Sequence, residues 1–259
     1  MDPAEIVIIT FWAFFLLLQI VATGYLLVHR NYGPFKAKQI DLIVLSVISE
    51  CFWFVGALQA IKFLPQEGIW ALCSLWSLWF NTTFGLFLWG GILLLRFVKI
   101  FLYEQRKFWP NWQMNLLLFT FWSPSIVLSV VGTAISDLIF STDNACILNN
   151  SFFAALFVYA AGYIICYIVF MILLRKVKHR ALNEYKGTVA SVVVLVIGFF
   201  IFGVLTALNL NDEYVWARCL SFSALQALHN FNFWVLVGYP IYMSIQDREG
   251  FENYFYGRE

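Results

Sequence analysis

The residues able to do chemistry in this chain are few, and most of them sit in apolar surroundings. Glu50 lies in the middle of a hydrophobic run, between Leu45 and Phe54. A carboxylate in hydrocarbon is costly and normally faces a bundle interior or a watery cavity. Two readings of Glu50 stay open: a ligand, ion or proton site, or a packing residue that is protonated or hydrogen-bonded, with Gln226 or Asn230 as partner. Asn81, Thr82 and Thr83 form one polar belt within an apolar stretch; Gln226, His229, Asn230 and Asn232 form another. Side chains of this kind commonly bind helices to one another in lipid, so His229 by itself points to no activity. Catalytic arrangements are missing. The sequence has no Gly-x-Gly-Asp, no paired histidines and no His-Glu-x-x-His. No Lys occurs between Val215 and Ile245, which removes a retinal Schiff base. The chain is therefore read as a non-enzyme that needs no cofactor. The cysteines at 51, 73, 146, 166 and 219 show no spacing that would hold a metal.

What positions these residues follows from composition. Of 259 residues, 62% are hydrophobic and 12% charged, against about half and about a quarter in soluble domains. A net charge of +1 gives no footprint for nucleic acid, and the partner that composition demands is membrane lipid. A spanning helix needs roughly 20 apolar residues. Seven stretches qualify, near 6–28, 40–63, 69–102, 113–136, 152–175, 187–209 and 215–245. The expected fold is an all-α membrane protein, a seven-helix transmembrane domain over 1–245 followed by a tail at 246–259. Strands are not expected, because the apolar runs lack a period of two.

Basic residues set the direction of the bundle. With the N-terminus outside, 14 of the 16 Lys and Arg fall on the cytoplasmic side, and only Lys62 and Arg218 fall outside. Asn149-Asn150-Ser151 is a glycosylation sequon and then lies on an outer loop. Cys73 and Cys146 share that face, where a disulfide would persist. The rival pairing uses Cys219, near the outer end of the last helix. Cys51 and Cys166 lie within spans as small packing residues.

Two segments carry a resemblance. Lys178-His179-Arg180-Ala181-Leu182-Asn183-Glu184-Tyr185-Lys186 is similar to the basic, Phe-Asn-Glu-x-Lys segment that leads into helix six of metabotropic-glutamate-like (class C) G-protein-coupled receptors, with Leu182 in place of Phe. The third helix has Cys73, Trp76 and Trp79, then Phe84-Gly85-Leu86, then Arg96-Phe97-Val98-Lys99-Ile100-Phe101. It resembles the same helix in seven-transmembrane regulators of G-protein signalling. The likeness covers most of 68–210 and is thin in the first two helices. It implies a GPCR-like bundle and a Gα subunit as partner. It also implies an inner-face switch in which Arg96, or Lys99 one turn on, pairs with Glu184. The Cys73–Cys146 link fits both families. Residues 247–259 look like the opening of a regulator domain, so any GTPase-accelerating activity is expected beyond residue 259.

The expected function is receptor-like signalling. A small ligand, unidentified, binds from outside or within the bundle near Glu50, Asn81, Gln226, His229 and Asn230. The sequence leaves room for a homodimer. The rival class is a secondary transporter or channel using Glu50.

Overall fold

A computed structural model describes the chain except residues 65–66, 106, 108, 136–137, 143–144, 176–184, 209 and 257–259. The first helix, α1 (Pro3–Val28), starts at a capping box: Asp2 accepts from the Ala4 amide while the Glu5 carboxylate accepts from the Asp2 amide. A short turn of helix, α2 (Gly33–Ala37), leads into α3 (Ile40–Ala60). Then come a widened helix of π type, π1 (Ser74–Phe87), and its continuation α4 (Leu88–Glu104). They are followed by α5 (Asn111–Ala134), a two-stranded antiparallel hairpin β1 (Ile139–Thr142) and β2 (Ala145–Leu148), and α6 (Asn150–Leu174). The chain ends with α7 (Tyr185–Ala207), α8 (Leu210–Glu213), α9 (Val215–Gln246) and α10 (Arg248–Tyr256).

Six of these helices are long and apolar enough to cross a membrane: α1, α3, π1 with α4, α5, α6 and α7. The protein is a multi-pass, predominantly helical membrane protein. The seventh long helix, α9, has 32 residues, but its polar belt keeps it below the apolarity of the other six. The hairpin departs from the expectation of no strands. It joins α5 to α6, outside the apolar runs to which that expectation applied.

Burial runs opposite to that of a soluble bundle. The stretch from Ser74 to Tyr103 is the central column and is mostly buried. Outward faces carry Phe11, Phe14 and Leu17 on α1, Phe157 and Ile165 on α6, and Ile197 and Phe200 on α7, all exposed. Apolar faces this continuous need a lipid solvent. The main core joins Trp53 and Phe54 of α3, Trp89 and Phe97 of α4, Tyr163 and Tyr167 of α6, Leu195 of α7 and Phe222 of α9. A second core gathers Tyr32 and Phe35 with Ile43, Val237 and Phe251, and so seats α10 against α2. There the Tyr32 hydroxyl donates to the Arg248 carbonyl at 2.9 Å, and the Arg248 guanidinium lies 4.9 Å from the centre of the Tyr32 ring. Burial and the neighbouring Glu252 carboxylate push the Tyr32 phenol up from its usual range.

Helices of π type are rare and usually limited to one turn. Here π1 runs for 14 residues, and its carbonyls take bonds from neighbouring side chains. Ser49 of α3 lies 2.6 Å from the Phe84 carbonyl and 2.7 Å from that of Gly85. The Trp122 indole of α5 donates to the Thr83 carbonyl at 2.9 Å, and the Thr82 hydroxyl donates to the Ser77 carbonyl five residues back at 2.6 Å. Glycines let α3 and π1 approach closely: a Cβ on Gly56 would stand 2.5 Å from the Asn81 amide nitrogen.

Candidate functional site

Three helices meet at a buried hydrogen-bonded junction. Gln19 of α1 donates through Nε2 to Glu50 Oε1 of α3 at 2.9 Å and to Asn230 Oδ1 of α9 at 2.7 Å. Asn230 in turn donates through Nδ2 to the same Glu50 oxygen at 3.4 Å and to the Gln226 carbonyl at 3.2 Å. All three side chains are buried, with Gln19 at 0% and Glu50 at 2% exposure. No ion pair reaches Glu50 among the described residues. Amide donors alone stabilise it, which makes the site a carboxyl held by hydrogen bonds in a low-dielectric interior.

The sequence-predicted residues are thus partly brought together. Glu50 and Asn230 bond directly, as one of the two readings of Glu50 anticipated. The Gln226 side chain does not join them: its amide is buried and meets no partner among the described residues. His229 lies beside the junction, 1% exposed, with the Trp53 ring 4.1 Å away edge-on and the Trp89 ring 4.4 Å away. Asn81 stands apart on π1 against Gly56, six residues or about 9 Å along α3 from Glu50.

Gln19 was not legible as a site residue. It is a single amide in the run Phe14–Val21, and Thr23, one turn on, is too weakly polar to mark a face by itself. Replacing it with leucine leaves Glu50 and Asn230 each one donor short. The expected loss is about 2–4 kcal/mol, from about 1–3 kcal/mol per buried group left unmet. Thermal unfolding of Gln19→Leu in detergent or nanodiscs measures it; an unchanged midpoint would show that Glu50 is satisfied some other way.

A second polar contact ties α1 to α9 at the end where the chain begins. Arg218 donates through Nε and Nη2 to Glu5 Oε1 at 2.8 and 2.6 Å, and through Nη1 to the Asn211 carbonyl at 3.4 Å. Glu5 therefore both closes the α1 cap and pairs with Arg218 while 3% exposed. The pairing accounts for a basic residue on the side where basic residues are scarce.

At the opposite end, Arg96 of α4 is buried and donates through Nη1 to the Lys38 carbonyl at 2.7 Å, holding the turn into α3. Lys99, one turn on, is half-buried. Its expected partner Glu184 lies outside the described residues, so the switch pair rests on the resemblance alone. Cys51, Cys166 and Cys219 carry free thiols, whereas Cys73 does not. Cys146 lies in β2 opposite Ser141, with its side chain outside the described part. Asn149 caps α6, its side-chain oxygen accepting from the Ser151 amide at 2.9 Å. No group of three or more His, Cys, Asp or Glu suited to a metal occurs among the described residues. Neither a family model nor a curated protein matches this chain.

Proposed function

We propose that this chain is the membrane part of a receptor-like signalling protein of the plasma membrane that acts through the Gα subunit of a heterotrimeric G protein. On this reading all seven long helices span, with the N-terminus outside. The observation that carries it is the Gln19–Glu50–Asn230 junction, where one buried carboxyl ties the first, second and last long helices together. Any ligand that prefers a different arrangement of those amides shifts the packing of three helices at once. A ligand moves such an equilibrium only through its different affinity for the two states.

The seventh span is supported by the way α9 distributes its residues. Gln226, His229, Asn230 and Asn232 in its middle are buried, while Trp216, Leu220, Phe231, Tyr239, Tyr242 and Ile245 are exposed. Orientation rests on the 14-to-2 split of basic residues. Two further parts belong to the proposal. Cys73 and Cys146 form a disulfide on the outer face, favoured by three free thiols elsewhere. Arg96 or Lys99 pairs with Glu184 at the inner face, where the bundle meets Gα.

Reconstitution in liposomes tests the reading. Wild type and Glu50→Gln should differ in their association with purified Gα, and neither should move protons or sodium. The rival reading, a secondary transporter or channel, is favoured by a buried carboxyl with no ion-pair partner among the described residues. Glu50-dependent flux with no effect on Gα would decide for the transporter.

A further inference from the structure

The seam where α1 and α3 meet α9 holds more polar atoms than the described residues provide partners for. Both ring nitrogens of His229, Oε1 and Nε2 of Gln226, Nε1 of Trp53, Oε1 of Gln19 and Oδ1 of Asn232 are buried and bond to no atom among the described residues. Buried polar groups in folded proteins are almost always paired, with protein or with ordered water. Isolated exceptions are ordinary; this many along one seam are not.

Several of these residues adjoin one another. The Trp53 and His229 rings touch edge to face, and Gln226 lies one turn from His229 and Asn230 on the same helix. Asn232 lines a narrow, partly open cavity between α3, α4 and α9 with room for about one water. Trp89 lines that cavity too and also packs on His229, so one indole borders both spaces. From Gln226 to Asn232 the seam runs about 9 Å along the helix axis.

The chemistry of the set selects its occupant. Trp53 only donates, the free oxygens of Gln19 and Asn232 only accept, and Gln226 and His229 do both. An ion of either sign would suit half of these groups and repel the rest. A small neutral molecule that both donates and accepts suits all of them, and water is the smallest.

We propose that ordered water occupies the α3–α9 seam as a hydrogen-bonded cluster running from Gln226 past His229 to Asn232, with the cavity beside Trp89 as its opening. Each water there bridges groups that would otherwise be unmet. The cluster lies alongside Glu50 and gives the interior of the bundle a polar filling that moves more easily than side chains. This holds whether or not the protein acts through Gα.

Two measurements test it. A structure of the wild type in lipid, at a resolution that shows ordered water, should have density within hydrogen-bonding distance of Trp53 Nε1, His229 and Gln226. A dry seam, with these groups bonded to one another, overturns the proposal. The second measurement is the sign of a stability change. If the seam is wet, Gln226→Leu and Asn232→Leu displace water, leave Trp53 and His229 without partners, and lower the melting temperature by several degrees. If it is dry, each substitution removes an unmet group and raises the melting temperature, which also overturns the proposal. Should either variant fail to accumulate, the wild-type structure decides alone.

Discussion

Arg218→Ala is expected to destabilise the folded bundle by about 3 kcal/mol, the lower end of the roughly 3–5 kcal/mol seen when one partner of a buried ion pair is removed. The lower end applies because the Arg218 side chain keeps 17% exposure while that of Glu5 has 4%. The loss arises on the other residue. Without the guanidinium, Glu5 remains in the α1 capping box as a buried carboxylate, with only the Asp2 amide to stabilise its charge. Thermal or denaturant unfolding in nanodiscs gives the magnitude. The double variant Glu5→Gln with Arg218→Ala identifies the cause: removing both charges should restore more than half of the loss, since no bare carboxylate remains. If the double variant is as unstable as the single one, Arg218 acts through packing instead.

Gly56→Ala is expected to cost about 3 kcal/mol, at the upper end of the range for overpacking a close contact. The added methyl would stand 2.5 Å from the Asn81 amide nitrogen and 2.7 Å from its Cα. Both are backbone atoms of π1, so no side chain can turn aside; α3 and the central column must separate. Separation also lengthens the Ser49 bonds to the Phe84 and Gly85 carbonyls, which help hold the widened helix. Gly24→Ala is the internal control. Nothing lies within 4 Å of a Cβ there, and in the interior of α1 alanine is favoured over glycine by about 1 kcal/mol. Melting temperatures should fall for the first variant and hold or rise for the second. Equal behaviour would mean that the contact between α3 and π1 is loose.

The long apolar helices were legible because length and hydropathy are local properties of the chain. Five of the six helices that meet both criteria lie within a few residues of the stretches read from sequence; the sixth, α4 with π1, begins about five residues later. The contact of Glu50 with Asn230 was also legible, since both interrupt apolar runs and a buried carboxyl needs a donor. Gln19 was not, because pairing across 211 residues leaves no spacing to detect. The same holds for Glu5 and Arg218, which the sequence presents as unrelated charges. The widened helix was hidden for another reason. Ser74–Phe87 itself offers only the Thr82 hydroxyl toward a changed hydrogen-bond pattern, and the other groups that sustain it, Ser49 and Trp122, come from other helices.

The bonds between α1 and α9 also bear on how the protein is made. Glu5 is separated from Arg218 by 213 residues and Gln19 from Asn230 by 211. At about 5–20 residues per second, a ribosome takes about 10–40 s to cover that distance. For that interval α1 carries a carboxylate and an amide whose partners do not yet exist. Burial of the two side chains must therefore wait until α9 is in place, so this part of the bundle closes between helices made far apart in time.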